Sequence, residues 1–112
     1  MAEQERRGNP RYAFIANAEV IEQASQARIA TRVSELSLTG CYLDMMTPLP
    51  MNELLLVKIT AGQSVFQAKT KVIYSHANLG IGVSFLDVEP KYMAVLQGWL
   101  AEAEKDPQRL LA

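Results

Sequence analysis

The sequence predicts an all-β fold with a C-terminal helix, namely a six-stranded antiparallel β-barrel preceded by a flexible N-terminal arm. Six short segments alternate with a period of two, and turn-forming residues separate them at short, regular spacing. Near the C-terminus the period changes to that of an amphipathic helix. We favour a barrel over a sandwich because a sheet that closes on itself has no exposed edge strands.

The chain length indicates one domain. Its 112 residues suit a single modest domain and are too few for two. Residues 1–11 are polar and aperiodic, which predicts a flexible, arginine-containing arm. The barrel and its helix are expected to span residues 12–105, followed by a frayed tail at residues 106–112.

The first two strands are expected to form a hairpin. Alternate residues from Phe14 to Val20 share one face of a segment that begins at Tyr12, which predicts the first strand. Residues 24–26 have the composition of a hairpin turn. A second alternating run over residues 28–33 then predicts the second strand.

The remaining strands are separated by turn residues. Pro48 and Pro50 mark a loop, because proline cannot donate to a strand ladder. Alternate residues from Phe66 to Tyr74 are expected to share one face of the fifth strand. The predicted third to sixth strands cover residues 41–43, 54–59, 66–74 and 80–85.

A helix is predicted after the last strand. Asp87 is the expected N-cap, and Pro90 is compatible with the first turn. Gly98 inside this helix suggests a close approach by a neighbouring element. The helix is expected to cover one end of the barrel or to pack on its outside, through an apolar stripe formed by Tyr92, Val95, Leu96, Trp99, Leu100 and Ala103.

Composition limits the function and the location. A formal net charge of −1 gives no global positive field, so we expect no DNA or RNA partner. No apolar run approaches the roughly 20 residues of a membrane span, and the polar start is no signal peptide, so we expect no membrane insertion. The single cysteine, Cys41, cannot form an internal disulfide, which fits a cytoplasmic protein.

The sequence carries no signature of an enzyme. It lacks the paired carboxylates, nucleophile–base pairs and phosphate-binding glycine loops that catalytic sites need. His76 is the only histidine, so a metal site is not expected, and it is predicted to be an exposed, inert turn residue. Cys41 is expected to be a buried structural thiol.

Two short elements instead indicate a binding site. Arg6, Arg7 and Arg11 place three guanidinium groups within six residues, beside a glycine and a proline that oppose a helix. A carboxylate, a hydroxyl and a turn glycine follow in the turn between the second and third strands, from Glu35 to Gly40. Guanidinium groups match phosphate oxygens and the O6/N7 edge of guanine, and a carboxylate matches the donors of guanine. Together these elements predict a site for a small anionic guanine nucleotide.

The order of these elements resembles that of the PilZ domain family. The matching pieces are Arg7-xxx-Arg11 with Arg6 before it, Ser37-x-x-Gly40 in a turn, the glycine-containing strand at residues 80–85 and the helix that follows. The resemblance covers roughly residues 5–103. It implies a six-stranded barrel with a terminal helix that binds cyclic di-GMP, without any cofactor. The ligand-binding residues that it implies are Arg6, Arg7, Arg11, Glu35, Ser37, Gly40, Gly80 and Gly82.

The resemblance leaves two functions open. In the first, the chain is a cyclic di-GMP receptor or adaptor whose arm orders on binding and which signals through an unidentified protein partner, as a monomer or weak homodimer. In the second, it is a PilZ-type interaction module with weakened or lost nucleotide binding. Glu35 favours the second, because the family turn begins with aspartate or asparagine and glutamate adds a methylene. Arg7 and Arg11 favour the first.

Overall fold

The computed structural model of this chain describes residues 9–105. Residues 9–11 carry no regular secondary structure. The rest of the predicted arm, including Arg6 and Arg7, lies outside the described residues, as does the predicted tail at residues 106–112.

The described residues form a closed barrel of six strands followed by one helix, which confirms the predicted fold class. Every neighbouring pair of strands is antiparallel, and the order around the barrel is β1-β2-β3-β6-β5-β4. The elements are β1 (Tyr12–Glu22), β2 (Arg28–Leu36), β3 (Gly40–Asp44), β4 (Leu54–Ala61), β5 (Ser64–His76), β6 (Gly80–Asp87) and α1 (Pro90–Glu104).

The period-two pattern of the sequence directs one face of each strand into the barrel. In β1, Phe14, Ala18 and Val20 are buried, whereas Asn17 between them is exposed. The one inward polar side chain of β5, Thr70, is fully buried and donates its hydroxyl to the Leu55 carbonyl at 3.1 Å. Such a bond offsets the cost of placing a hydroxyl in an apolar core.

A bulge in β5 changes the face of Tyr74. Val72 pairs with Val83, but Tyr74 pairs with the next residue, Gly82, so one extra residue, Ile73, interrupts the alternation. The Tyr74 ring therefore lies against Gly82, where a Cβ atom would come within 2.3 Å of it. The expectation that Tyr74 shares the face of Phe66 and Val72 is wrong, because the alternation of residues along one strand does not show where an extra residue is inserted in its pairing.

The helix α1 begins two residues later than its predicted cap suggests. Asp87 remains in β6, where it pairs with Lys69, and Glu89 is the N-cap residue. Pro90 occupies the first turn, as predicted. Cross-strand pairing thus extends β6 through the residue whose local chemistry favoured a cap.

The helix covers one end of the barrel. Leu96 is fully buried and belongs to the same core cluster as the inward side chains of the strands. The Trp99 ring lies 5.2 Å from Phe14 and 6.4 Å from Phe66, which start β1 and β5 on the same end of the barrel. No helix among residues 9–105 is long and apolar enough to cross a membrane.

Gly98 lies on the exposed side of α1. Among residues 9–105, a Cβ atom built there meets nothing within 4 Å beyond the nearby backbone of its own helix, so the predicted close approach at this position is wrong. Glycine loses more backbone entropy on folding than alanine does and adds no contact here.

We therefore expect Gly98→Ala to raise the free energy of unfolding by roughly 0.5–1 kcal/mol. Chemical denaturation of both proteins measures this difference. Gly82→Ala is the contrasting variant and should destabilise, since its methyl group would collide with the Tyr74 ring. An unchanged or lower stability of Gly98→Ala would show that the glycine serves a purpose in this helix.

Candidate functional site

A cavity of about 490 Å³ opens on the side of the barrel. On one side it is bounded by the end of β2, the following turn and the start of β3. On the other side it is bounded by the C-terminal end of β5 and the middle of β6. Its size is in the range of small-molecule binding sites. It is lined by Asn9, Arg11, Glu35, Leu36, Ser37, Thr39, Gly40, Cys41, Ile73, Tyr74, His76, Val83 and Ser84.

Half of the residues predicted for the nucleotide site meet in this cavity. Arg11, Glu35, Ser37 and Gly40 all line it. The other two described residues of the prediction, Gly80 and Gly82, do not line it, and Arg6 and Arg7 lie outside the described residues.

The register of the first hairpin brings Arg11 to the site. Tyr12 pairs with Leu36 and Ala13 pairs with Glu35, so the residue that precedes β1 lies beside the end of β2. An Arg11 Nη1 atom is 3.3 Å from a carboxylate oxygen of Glu35. Glu35 itself belongs to β2, not to the turn after it, and its side chain is 23% exposed, against 57% for the side chain of Arg11.

The Ser37 side chain holds the turn between β2 and β3. Its hydroxyl oxygen accepts hydrogen bonds from the backbone amides of Thr39 and Gly40, both at 3.2 Å, and donates to the Gly40 carbonyl at 3.2 Å. Ser37 is nearly buried, so water cannot replace these bonds. The serine therefore fixes the shape of this cavity wall, whatever else it binds.

The glycines of the predicted site are explained by close packing within the barrel. A Cβ atom on Gly40 would lie 2.2 Å from the Val83 carbonyl oxygen, and one on Gly80 would lie 2.1 Å from the Leu43 carbonyl oxygen. Gly40 does not have a positive φ angle, so the close approach alone requires glycine there. Gly82 provides the space for the Tyr74 ring.

Three aromatic side chains beside the cavity were not predicted as site residues. Tyr74 and His76 line it, and Tyr42 lies behind them with its hydroxyl 3.1 Å from Nδ1 of His76. His76 is exposed, as predicted, but it ends β5 instead of lying in a turn. Tyr42 could have been found from the sequence, because it alternates with the inward residues Cys41 and Leu43. The bulge that turns Tyr74 outward has no such signal.

Cys41 also lines the cavity, but its thiol is unreactive. Burial, with a smaller contribution from the Glu35 charge, raises the pKa of its thiol to about 12. The thiol therefore stays protonated near neutral pH and is a poor nucleophile. Cys41 is the buried structural thiol that the sequence indicates. Within residues 9–105 no three histidine, cysteine, aspartate or glutamate side chains are grouped to hold a metal ion.

Comparison with known proteins gives one family. The model of the PilZ domain family matches residues 5–102. The fold is similar to the PilZ domain with c-di-GMP of YcgR from Escherichia coli, with a TM-score of 0.73 and 18% identity, over 92% of this chain and 95% of that one. It is also similar to the PilZ domain of CeSA from a cellulose-synthesizing bacterium, with a TM-score of 0.66 and 14% identity, over 84% of this chain and 97% of that one. Comparison with curated protein sequences gives no match.

We expect Ser37→Ala to lower the free energy of unfolding by about 1–2 kcal/mol even without ligand, because two backbone amides lose the buried hydroxyl to which they donate. Ser25→Ala is a matched control. Its hydroxyl also accepts from a turn amide, that of Ala27 at 3.1 Å, but it is exposed and water can replace it. Chemical denaturation checks both variants, and equal effects would contradict the structural role of Ser37.

Proposed function

This chain belongs to the PilZ domain family, as its motifs indicated, and on that premise we propose that it is a receptor for cyclic di-GMP. The family is one that binds this nucleotide. The observation that carries the proposal is the convergence of Arg11, Glu35, Ser37 and Gly40 on one cavity. Arg11 is distant in the sequence from the segment at residues 35–40, and the pairing of β1 with β2 brings the two together.

The chemistry of this wall suits a guanine nucleotide. The Arg11 side chain is more than half exposed, so its guanidinium donors can reach a phosphate or the O6/N7 edge of guanine. The Glu35 carboxylate can accept from the guanine amino group. The turn held by Ser37 keeps this wall in one shape, so less ordering is required when the ligand binds.

We further propose that the arm contributes to the site. Arg6 and Arg7 lie within the residues that the family model matches, although outside the described residues. The arm joins β1 at Arg11, which lines the cavity, so Arg7 is four residues from the site. Neutralisation of three like charges by the ligand phosphates would order the arm over the cavity and provide a surface for a protein partner to recognise.

One observation favours the second function, a PilZ-type interaction module with weakened nucleotide binding. Arg11 already has a partner, because Glu35 lies 3.3 Å from it, and a ligand must compete with this ion pair. Titration of the purified protein with cyclic di-GMP by calorimetry separates the two functions, since the receptor gives tight saturable binding, whereas the interaction module gives weak binding or none.

We expect Arg11→Ala to weaken cyclic di-GMP binding by an order of magnitude or more, because hydrogen bonds to charged groups are worth roughly 1.5–3 kcal/mol each. The matched control is Arg28→Ala. Arg28 is similarly exposed and is paired with Glu19 at 3.4 Å, but it does not line the cavity. Both variants remove one positive charge, so general attraction to the ligand changes equally. Equal affinities of the two variants in calorimetry would place the nucleotide elsewhere.

For the arm, we expect the backbone amides of residues 6–11 to exchange more slowly with solvent when cyclic di-GMP is saturating. Pro10 has no amide and is excluded. The hairpin turn at residues 24–26 does not line the cavity and is the internal reference. Exchange rates in the arm that the ligand leaves unchanged would refute the ordering, while saturable heat in the same samples would leave the receptor function intact.

A further inference from the structure

We infer that His76, supported by Tyr42 and Tyr74, is a stacking surface for one base of the bound nucleotide. The inference rests on the proposed function, since it names a second wall of the same site. It assigns a binding role to a residue that the sequence indicated to be inert. The base is identified by its chemistry, as a planar aromatic purine that an imidazole ring can contact face to face.

The three rings form one cluster on the outside of the barrel. Tyr42 and Tyr74 flank Gly82, with which each of them pairs across a neighbouring strand. The centroid of the His76 ring is 5.1 Å from that of Tyr74 and 6.1 Å from that of Tyr42, and the rings are inclined by about 30° to each other. These separations are in the range of favourable aromatic pairs.

Contacts within the barrel hold the cluster in place. The Tyr74 ring occupies the space that the absent side chain of Gly82 leaves, so it cannot move inward. The Tyr42 hydroxyl is hydrogen-bonded to Nδ1 of His76 at 3.1 Å, which restrains the imidazole. A ring that is held before binding loses little entropy when a base stacks on it.

One wall of the cavity is polar and the other is aromatic, and a nucleotide requires both kinds of surface. One wall presents the charged and polar groups of Arg11, Glu35 and Ser37, whereas the other presents Tyr74 and His76. Phosphates and base edges need the first kind of wall, and the faces of bases need the second. His76 is the exposed ring of the cluster, and Ile73 beside it is 46% exposed and adds an apolar surface.

The only histidine of the chain makes the inference measurable in the unmodified protein. In protein labelled with ¹³C-histidine, two ring C–H signals report on His76 alone. A purine stacked on the imidazole shifts both signals upfield through its ring current and gives nuclear Overhauser effects to the base proton at C8. We expect both results on titration with cyclic di-GMP.

Variants give the second measurement. By calorimetry, His76→Ala should bind cyclic di-GMP at least about fivefold more weakly, because stacking of a base on an aromatic ring is lost. His76→Phe keeps a planar ring and should bind within about threefold of the original protein. Gln67→Ala is the control, since Gln67 lies on the same strand but does not line the cavity. It should bind as the original protein does.

The outcomes separate this inference from the function on which it rests. Saturable binding with unshifted His76 ring signals would overturn the stacking role and leave the receptor function standing. Absence of binding in the original protein would overturn both. If His76→Ala fails to fold, the ring signals of the original protein still decide, because they require no substitution.

Discussion

The pairing of β3 with β6 is the constraint on which the barrel and its cavity depend. It joins strands that are distant in the sequence, and it closes the sheet. We call this pair of strands the seam of the barrel. A glycine lies at each of its ends, since Gly40 pairs with Ser84 and Asp44 pairs with Gly80. At both glycines the opposing backbone comes so near that a Cβ atom would lie within about 2.2 Å of a carbonyl oxygen. Side chains at these two positions would force the strands apart and open the barrel.

The same seam positions both walls of the candidate site. The Ser37–Gly40 turn leads into its first pair, so the polar wall is attached to one end. In its middle, Gly82 pairs with Tyr42 on one side and Tyr74 on the other, which places the aromatic cluster across it. The cavity therefore depends on long-range strand pairing more than on any local motif, and damage to the seam would remove the site together with the fold.

Patterns in the sequence correctly predicted the features that depend only on residues near each other in the chain. Inward and outward positions in β1 follow from a period of two, and the apolar stripe of the helix follows from its own period. The resemblance implied that Gly80 and Gly82 of β6 bind the ligand. The immediate reason for glycine at these positions is contact with Leu43 and Tyr74, which are remote in sequence. No pattern within one strand can indicate which atoms a neighbouring strand places opposite it.

The unpredicted parts of the site have a common cause. Tyr74 faces outward because Ile73 is an extra residue in the pairing of β5 with β6, and His76 then ends the same strand beside Tyr42. A bulge is a mismatch between two strands, so neither strand encodes it alone. Glu35 is a similar case. Its residue type was seen, but its ion pair with Arg11 follows from the register of β1 against β2.

That ion pair is too weak to close the site. Arg11 is more than half exposed, and pairs between exposed groups contribute about 0–1 kcal/mol, because water and salt screen them. A phosphate that forms one or two charge-assisted hydrogen bonds with the same guanidinium gains roughly 1.5–3 kcal/mol from each. The released Glu35 carboxylate remains at the cavity wall, where the amino group of guanine can replace the lost partner. Under the proposed receptor function, this exchange of partners would therefore favour the nucleotide over the ion pair.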